Sequence, residues 1–199
     1  MELIIGARAL RDLLTPMLPM AAGAHDMPVL NAVKVYVDDG RLVALATDRF
    51  VFGFKAVPGD WPNGWTALIP LDSAKAILRS FRPVRGQDPE LTLTVDGDRL
   101  YVETSGGFMD FDAARVGYAL RSGDYPDIAK LAREALAEDV SAEAWAGFNF
   151  AFLAKFAGFA ERGQALALRI TSPSRPAIVT DGESFVGGIM PRVKMTSPA

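Results

Sequence analysis

Apolar positions along the chain switch between two periods. "ELIIG" is a short apolar run. Directly after it Ala7, Leu10, Leu13 and Leu14 recur at helical spacing, with Arg8 and Arg11 on the opposite side. Pro16 and Pro19 predict the end of that helix, because proline removes a backbone donor and clashes with the preceding turn. Alternating runs then predict strands at Val29 to Val37, Arg41 to Thr47 and Val51 to Val57. The first two are joined at Asp38-Asp39-Gly40, the residue chemistry of a tight hairpin turn, and the third runs into the turn formers of "PGDWPNG". The first unit therefore reads β-α-β-β-β.

The same order recurs. "WTALIP" reads as a strand, "LDSAKAILRSF" as a helix, "ELTLTVDGDRLYVET" as a hairpin turned at Asp96-Gly97-Asp98, and "GFMDFDAARV" as a further strand. After an acidic connector, "EAWAGFN" reads as a strand and "FAFLAKFAGFAERG" as a helix closed by Gly163. "ALALRITS", "RPAIVTD" and "SFVGGIMPRV" read as the last strands. A unit of this size cannot bury its own apolar face, so the units must pack on one another, which predicts an α+β architecture of repeated β-α-β-β-β units. The predicted division is a complete two-unit domain at 1–118, an acidic connector at 119–142, a half-domain at 143–194 and a tail at 195–199.

Half of the 199 residues are hydrophobic, enough for a substantial core. No run of eighteen apolar residues and no basic stretch followed by an apolar one occurs, so neither a membrane span nor a secretory signal is expected, and the cytoplasm is the expected compartment. The absence of cysteine removes disulfides, thiolate nucleophiles and cysteine-based zinc sites. The one histidine, His25, sits in the loop-like "AAGAHDMP" and reads as a solvated loop residue. With neither a nucleophile–base pair nor a metal-ligand set in view, the expectation is a non-catalytic protein with no cofactor and no metal. The paired carboxylates Asp38/Asp39 and Asp96/Asp98 read as turn chemistry, and "SGG" at 105–107 lacks the lysine and following helix of a phosphate-binding loop.

The net charge of −3 argues against a protein that coats nucleic acid over its whole surface, but the basic residues are concentrated on the predicted helices. Arg8 and Arg11 lie three apart on the first, and Lys75, Arg79 and Arg82 are spaced by four and three on the second. On one helix a solvated polar face is the plainer reading. Its recurrence on equivalent helices, with Lys155 on the third, predicts a cationic surface suited to a phosphate backbone without sequence readout. The third helix also carries Phe148, Phe150, Phe152, Leu153, Phe156 and Phe159 on more than one face, which calls for burial on two sides, within the core or against another chain.

Four stretches in this order resemble the bacterial sliding clamp, the β subunit of the replicative DNA polymerase: "MPVLNAVKVYVDDGRLVALATDRFVFGF", "ALIPLDSAKAIL", "RSGDYPDIAKL" and "FVGGIMPRV". The resemblance implies the DNA-clamp fold and the role of a processivity factor. It also implies a shallow apolar pocket that captures clamp-binding peptides of DNA polymerase or repair proteins. Carried over by position, that pocket comprises Leu30, Thr47, Arg49, Phe50, Val51, Phe52, Pro126, Leu131, Met190 and Pro191. Weak, non-specific contact with double-stranded DNA, or its encirclement, and a homo-oligomer without any membrane role are further implications. Phe50 stands where the family more often has a polar or small residue, and "MPRVK" replaces the usual "MP-x-RL". A full clamp has three domains of two units each, whereas this chain has three units, equivalent to the central domain and the second half of the last. An odd number of units leaves a half-domain open or completes it with another copy. The alternative function is a decoy module that binds replication partners without encircling DNA.

Overall fold

The computed structural model describes residues 1–23, 27–83, 86–104, 115–137, 146–159, 165–172 and 174–192. Two antiparallel sheets carry the fold. The smaller has the order β1-β6-β7-β8, with β1 at Glu2–Gly6, β6 at Glu90–Asp96, β7 at Arg99–Thr104 and β8 at Arg115–Ala119. The larger has the order β5-β2-β3-β4-β11-β10-β9. Its strands are β2 (Ala32–Asp38), β3 (Arg41–Thr47), β4 (Val51–Pro58), β5 (Thr66–Pro70), β9 (Ala167–Arg169), β10 (Ala177–Thr180) and β11 (Phe185–Ile189). The first two units exchange their opening strands: β1 pairs with β6 of the second unit, and β5 pairs with β2 of the first. The third unit joins the larger sheet through β4 and β11, in a register that sets Gly187 opposite Gly53.

Strand alternation decides which side chains meet the helices. Val33, Val35 and Ile69 on one sheet, and Leu3, Ile5, Leu91 and Leu93 on the other, point inward and are buried. Helix α1 (Ala7–Leu14) covers them with Leu10, Leu13 and Leu14, and α2 (Leu71–Ser80) with Ala74, Ile77 and Leu78. The predicted stop at Pro16 is a tightening: the chain continues from α1 as a 3-10 turn at Thr15–Met17, with proline in its first turn where no donor is missed. The same core runs on into the third unit, where the Phe159 and Phe185 rings stack with centroids 3.6 Å apart. Glycine makes that junction possible. A Cβ at Gly53 would meet Phe159 and Phe185, and one at Gly188 would collide with the ring of Phe52 on the other face.

The hairpin turns follow the expected chemistry. Asp39 and Gly40 both have positive φ, as a two-residue turn of the primed type requires, and Gly97 supplies the positive φ of the second hairpin. Between β10 and β11 the Asp181 carboxylate accepts hydrogen bonds from the amides of Glu183, Ser184 and Phe185 and from the Ser184 hydroxyl. Burial pushes this carboxyl up, but those four bonds outweigh it and hold it below the usual range.

Several elements differ from the sequence reading. Residues 27–31 form a turn, so β2 begins at Ala32 and not at Val29. The fourth strand of the second unit lies at Arg115–Ala119, later than "GFMDFDAARV", whose residues up to Ala114 lie outside the described ones. The stretch read as an acidic connector contains a helix, α3 (Ile128–Ala137), which seats Ile128, Ala132 and Ala135 on the outer face of the larger sheet against Leu45, Phe52 and Ile178. In the third unit the long predicted helix is one α turn, α4 (Phe150–Leu153), followed by a 3-10 segment at Ala154–Phe159. Of "EAWAGFN", residues 146–149 form only the isolated bridge Gly147–Arg192, and 143–145 lie outside the described residues. His25, Ser105 to Gly107, Gly163 and the tail also lie outside them.

Candidate functional site

The turn between β3 and β4 organises the surface that the clamp-like motifs point to. Arg49 has a φ of 80°, a left-handed conformation that a side-chain-bearing residue adopts only when its neighbours hold it there. Asp48 and Thr47 do so. Asp48 Oδ1 accepts from the amides of Phe50 and Val51 at 2.9 Å each. The Thr47 hydroxyl donates to the Val51 carbonyl at 2.8 Å and accepts from the Arg49 amide at 3.1 Å. The other Asp48 oxygen takes the Lys155 ammonium at 2.6 Å, with both side chains largely buried. Phe50 stacks on Phe152 at 5.4 Å, and its carbonyl accepts from the Met190 amide. Through Asp48 the polar triplet Thr47-Asp48-Arg49 thus adds a side-chain fastening of the third unit to the first, beside the β4–β11 ladder.

Beside this turn lies an open cleft of about 360 Å³, lined by Met27, Val29, Leu30, Arg49, Asp124, Tyr125 and Pro126. The Tyr125 hydroxyl, which accepts the Thr47 amide at 3.1 Å, ties the connector to the β3 end and so fixes the cleft's width. Burial holds this phenol far above its ordinary titration range, and the Thr47 amide only partly offsets that, so the hydroxyl stays protonated and neutral. Met27, which lines the cleft, is more than a third exposed, and Phe50, next to the lining residue Arg49, is half exposed with its ring centre 5.9 Å from the Arg49 guanidinium.

Of the ten predicted pocket residues, Leu30, Arg49 and Pro126 line this cleft. Thr47, whose amide donates to the cleft residue Tyr125, is a buried structural residue; Phe50 and Met190 are exposed but are not among the lining residues, and the Met190 amide donates to the Phe50 carbonyl. Val51 belongs to the inner core and Pro191 is buried. Phe52 lies beneath α3 with Leu131 packed beside it, so these two apolar side chains are engaged within the chain. Sequence reasoning missed Met27, Val29, Asp124 and Tyr125 as lining residues. Met27 and Val29 lie in the quoted "MPVLN" stretch, whose turn conformation brings them to the surface.

The predicted cations divide. Arg8 and Arg11 on α1, Lys75 and Arg79 on α2, and Arg82 just beyond it are all exposed. The two helices are neighbours, and Arg11 Nη1 reaches the Leu78 carbonyl at 3.4 Å. Lys75 also lies 3.7 Å from Asp72, an exposed pair of little energetic weight. Lys155 differs: its charge is taken up by Asp48. Among the described residues no group of three or more His, Cys, Asp or Glu is placed to hold a metal ion, and no helix is long and apolar enough to cross a membrane.

The fold as a whole is that of bacterial sliding clamps. Three solved structures carry the comparison. The DNA polymerase sliding clamp of Pseudomonas aeruginosa, solved with a ligand, superposes with a TM-score of 0.76 at 16% identity, covering 96% of this chain and 65% of that one. The Bacillus subtilis sliding clamp gives 0.76 at 15% identity, over 98% and 65%. The DNA polymerase III β subunit of Thermotoga maritima gives 0.74 at 11%, over 98% and 66%. The chain spans about 65% of the length of the first of these clamp chains. At the level of sequence, no protein-family model and no curated protein matches it.

Proposed function

We propose that the protein is a non-catalytic, clamp-type binding module whose cleft beside the β3–β4 turn captures short extended segments of DNA polymerase or repair proteins. The observation that carries this reading is the cleft itself. In a chain with the sliding-clamp fold, three residues singled out by the clamp-like motifs, Leu30, Arg49 and Pro126, line one apolar concavity whose rim bears a guanidinium. An apolar depression with a few fixed polar groups suits a peptide that presents hydrophobic anchors and one amide side chain. Phe50 and Met190 extend the apolar surface past Arg49, and apolar burial supplies most of the binding free energy.

Calorimetric titration with a clamp-binding peptide bearing a glutamine and two hydrophobic anchors tests this. Val29→Asp, which places a charge in the cleft, abolishes binding, whereas Met190→Ala weakens it by about 1–3 kcal/mol. Failure of the intact protein to bind, or binding indifferent to both substitutions, overturns the reading.

A further inference from the structure

A second cleft, of about 770 Å³, lies at the β5 edge of the larger sheet, bounded by the β6–β7 turn and by the chain that follows β8. It shares only Asp124 and Tyr125 with the peptide cleft. Its two cations, Lys34 and Arg121, stand in one row across the sheet. Lys34 on β2 is the direct cross-strand partner of Leu68 on β5, and the Leu68 carbonyl accepts the Arg121 amide at 2.8 Å. Val33 and Val35 point into the core, so Lys34 and its partner Leu68 project from the opposite, outer face. Two strand spacings put the Lys34 and Arg121 Cα atoms about 10 Å apart, close enough for both side chains to reach one oxyanion between them. Neither charge is matched within the fold. Both residues are half-buried, yet among the described residues neither has an ion-pair partner. The Lys34 ammonium has only the Tyr36 ring, at 5.3 Å, and Arg121 Nε is enclosed without an acceptor.

We propose that this cleft binds a small organic phosphate with a hydroxylated body, the chemistry shared by sugar phosphates and nucleoside monophosphates. The Arg121 fork and the Lys34 ammonium take the phosphate oxygens, since a half-buried cation without a counter-charge gains more from an anion than a fully solvated one does. Leu68 and Leu120 supply an apolar wall for the ligand body, and the volume is that of a small-molecule site. Asp98 and Asp124, both exposed, line the same cleft and accept hydrogen bonds from hydroxyls of that body. Their charges also limit the ligand. They oppose a second or third phosphate, so the site selects a monophosphate over a triphosphate.

Equilibrium dialysis of the full chain against ribose phosphate and, separately, adenosine monophosphate tests this, and the tighter of the two identifies the body. The expected dissociation constant is below about 1 mM, with free ribose and adenosine triphosphate each bound at least about tenfold more weakly. Arg121→Gln and Lys34→Gln each weaken monophosphate binding at least about tenfold. Arg41→Gln removes an exposed cation at the start of β3, outside the cleft, and leaves binding unchanged. Circular dichroism spectra of both cleft variants match that of the parent, because neither side chain loses an ion pair, so lost binding is not lost fold. Neither Lys34 nor Arg121 lines the peptide cleft, so failure of the peptide reading leaves this test intact, and the reverse. No binding of either monophosphate up to about 10 mM, binding indifferent to both substitutions, or adenosine triphosphate bound as tightly as the monophosphate overturns the proposal.

Discussion

Asp48 gathers three functions into one side chain: it accepts two backbone amides, it holds Arg49 at positive φ, and it binds Lys155. Removing one member of a largely buried pair leaves the other charge uncompensated, and this outweighs the loss of any exposed ion pair in the molecule. Asp48→Ala is therefore expected to cost about 2–4 kcal/mol of unfolding free energy. Asp48→Asn, which keeps an acceptor for the turn amides, costs less. Lys155→Met preserves the aliphatic stem beside Phe152 while removing the charge, so it separates packing from pairing. Urea denaturation of the three variants checks the order, with Asp48→Ala the least stable. Little of this was legible in the sequence. The triplet drew notice because it is polar beside aromatics, but its partner lies 107 residues away along the chain, and no local pattern connects the two.

At the scale of elements, legibility followed the strength of the local signal. The two hairpins turned by Asp and Gly, and the amphipathic helices α1 and α2, could be read because turn chemistry and a 3.6-residue period act over a few residues. Helix α3 was obscured by the acidic composition around it, although Ile128, Ala132 and Ala135 lie at helical spacing and Asp127 accepts the Lys130 amide at its start. The third helix failed in the opposite sense. Its phenylalanines suggested a long buried helix, but Phe156 and Phe159 reach the core from a 3-10 segment. Because α3 seats its small residues directly on Phe52 and Ile178, Ala132→Glu puts a carboxylate against that apolar layer. The expected loss is about 2–4 kcal/mol, with faster amide exchange along α3, while the exposed Lys130→Gln stays within about 0.5 kcal/mol. Exchange rates left unchanged in Ala132→Glu would show that α3 is not held by this contact.

For the whole molecule, the decisive question is whether cations placed on separate helices act as one surface. Five exposed cations lie on or just beyond two neighbouring helices that cover the inner faces of both sheets, so their fields add at a shared boundary, while the net charge of −3 keeps the total attraction modest. Weak, sequence-independent binding to double-stranded DNA is expected, and if each cation neutralises one phosphate the log–log dependence on salt has a slope of about −4 to −5. Arg79→Glu combined with Arg82→Glu removes two of those contacts and adds repulsion, so affinity at low salt falls at least about tenfold and the slope shrinks by about 2. Lys155→Gln supplies the internal contrast. Its ammonium is already neutralised by Asp48, so this substitution lowers stability and leaves the salt slope unchanged. Titrations of fluorescent duplex DNA over a range of salt concentrations distinguish the cases. Equal slopes for the parent and the Arg79/Arg82 double variant would show that α1 and α2 present a solvated polar face and no phosphate-binding surface.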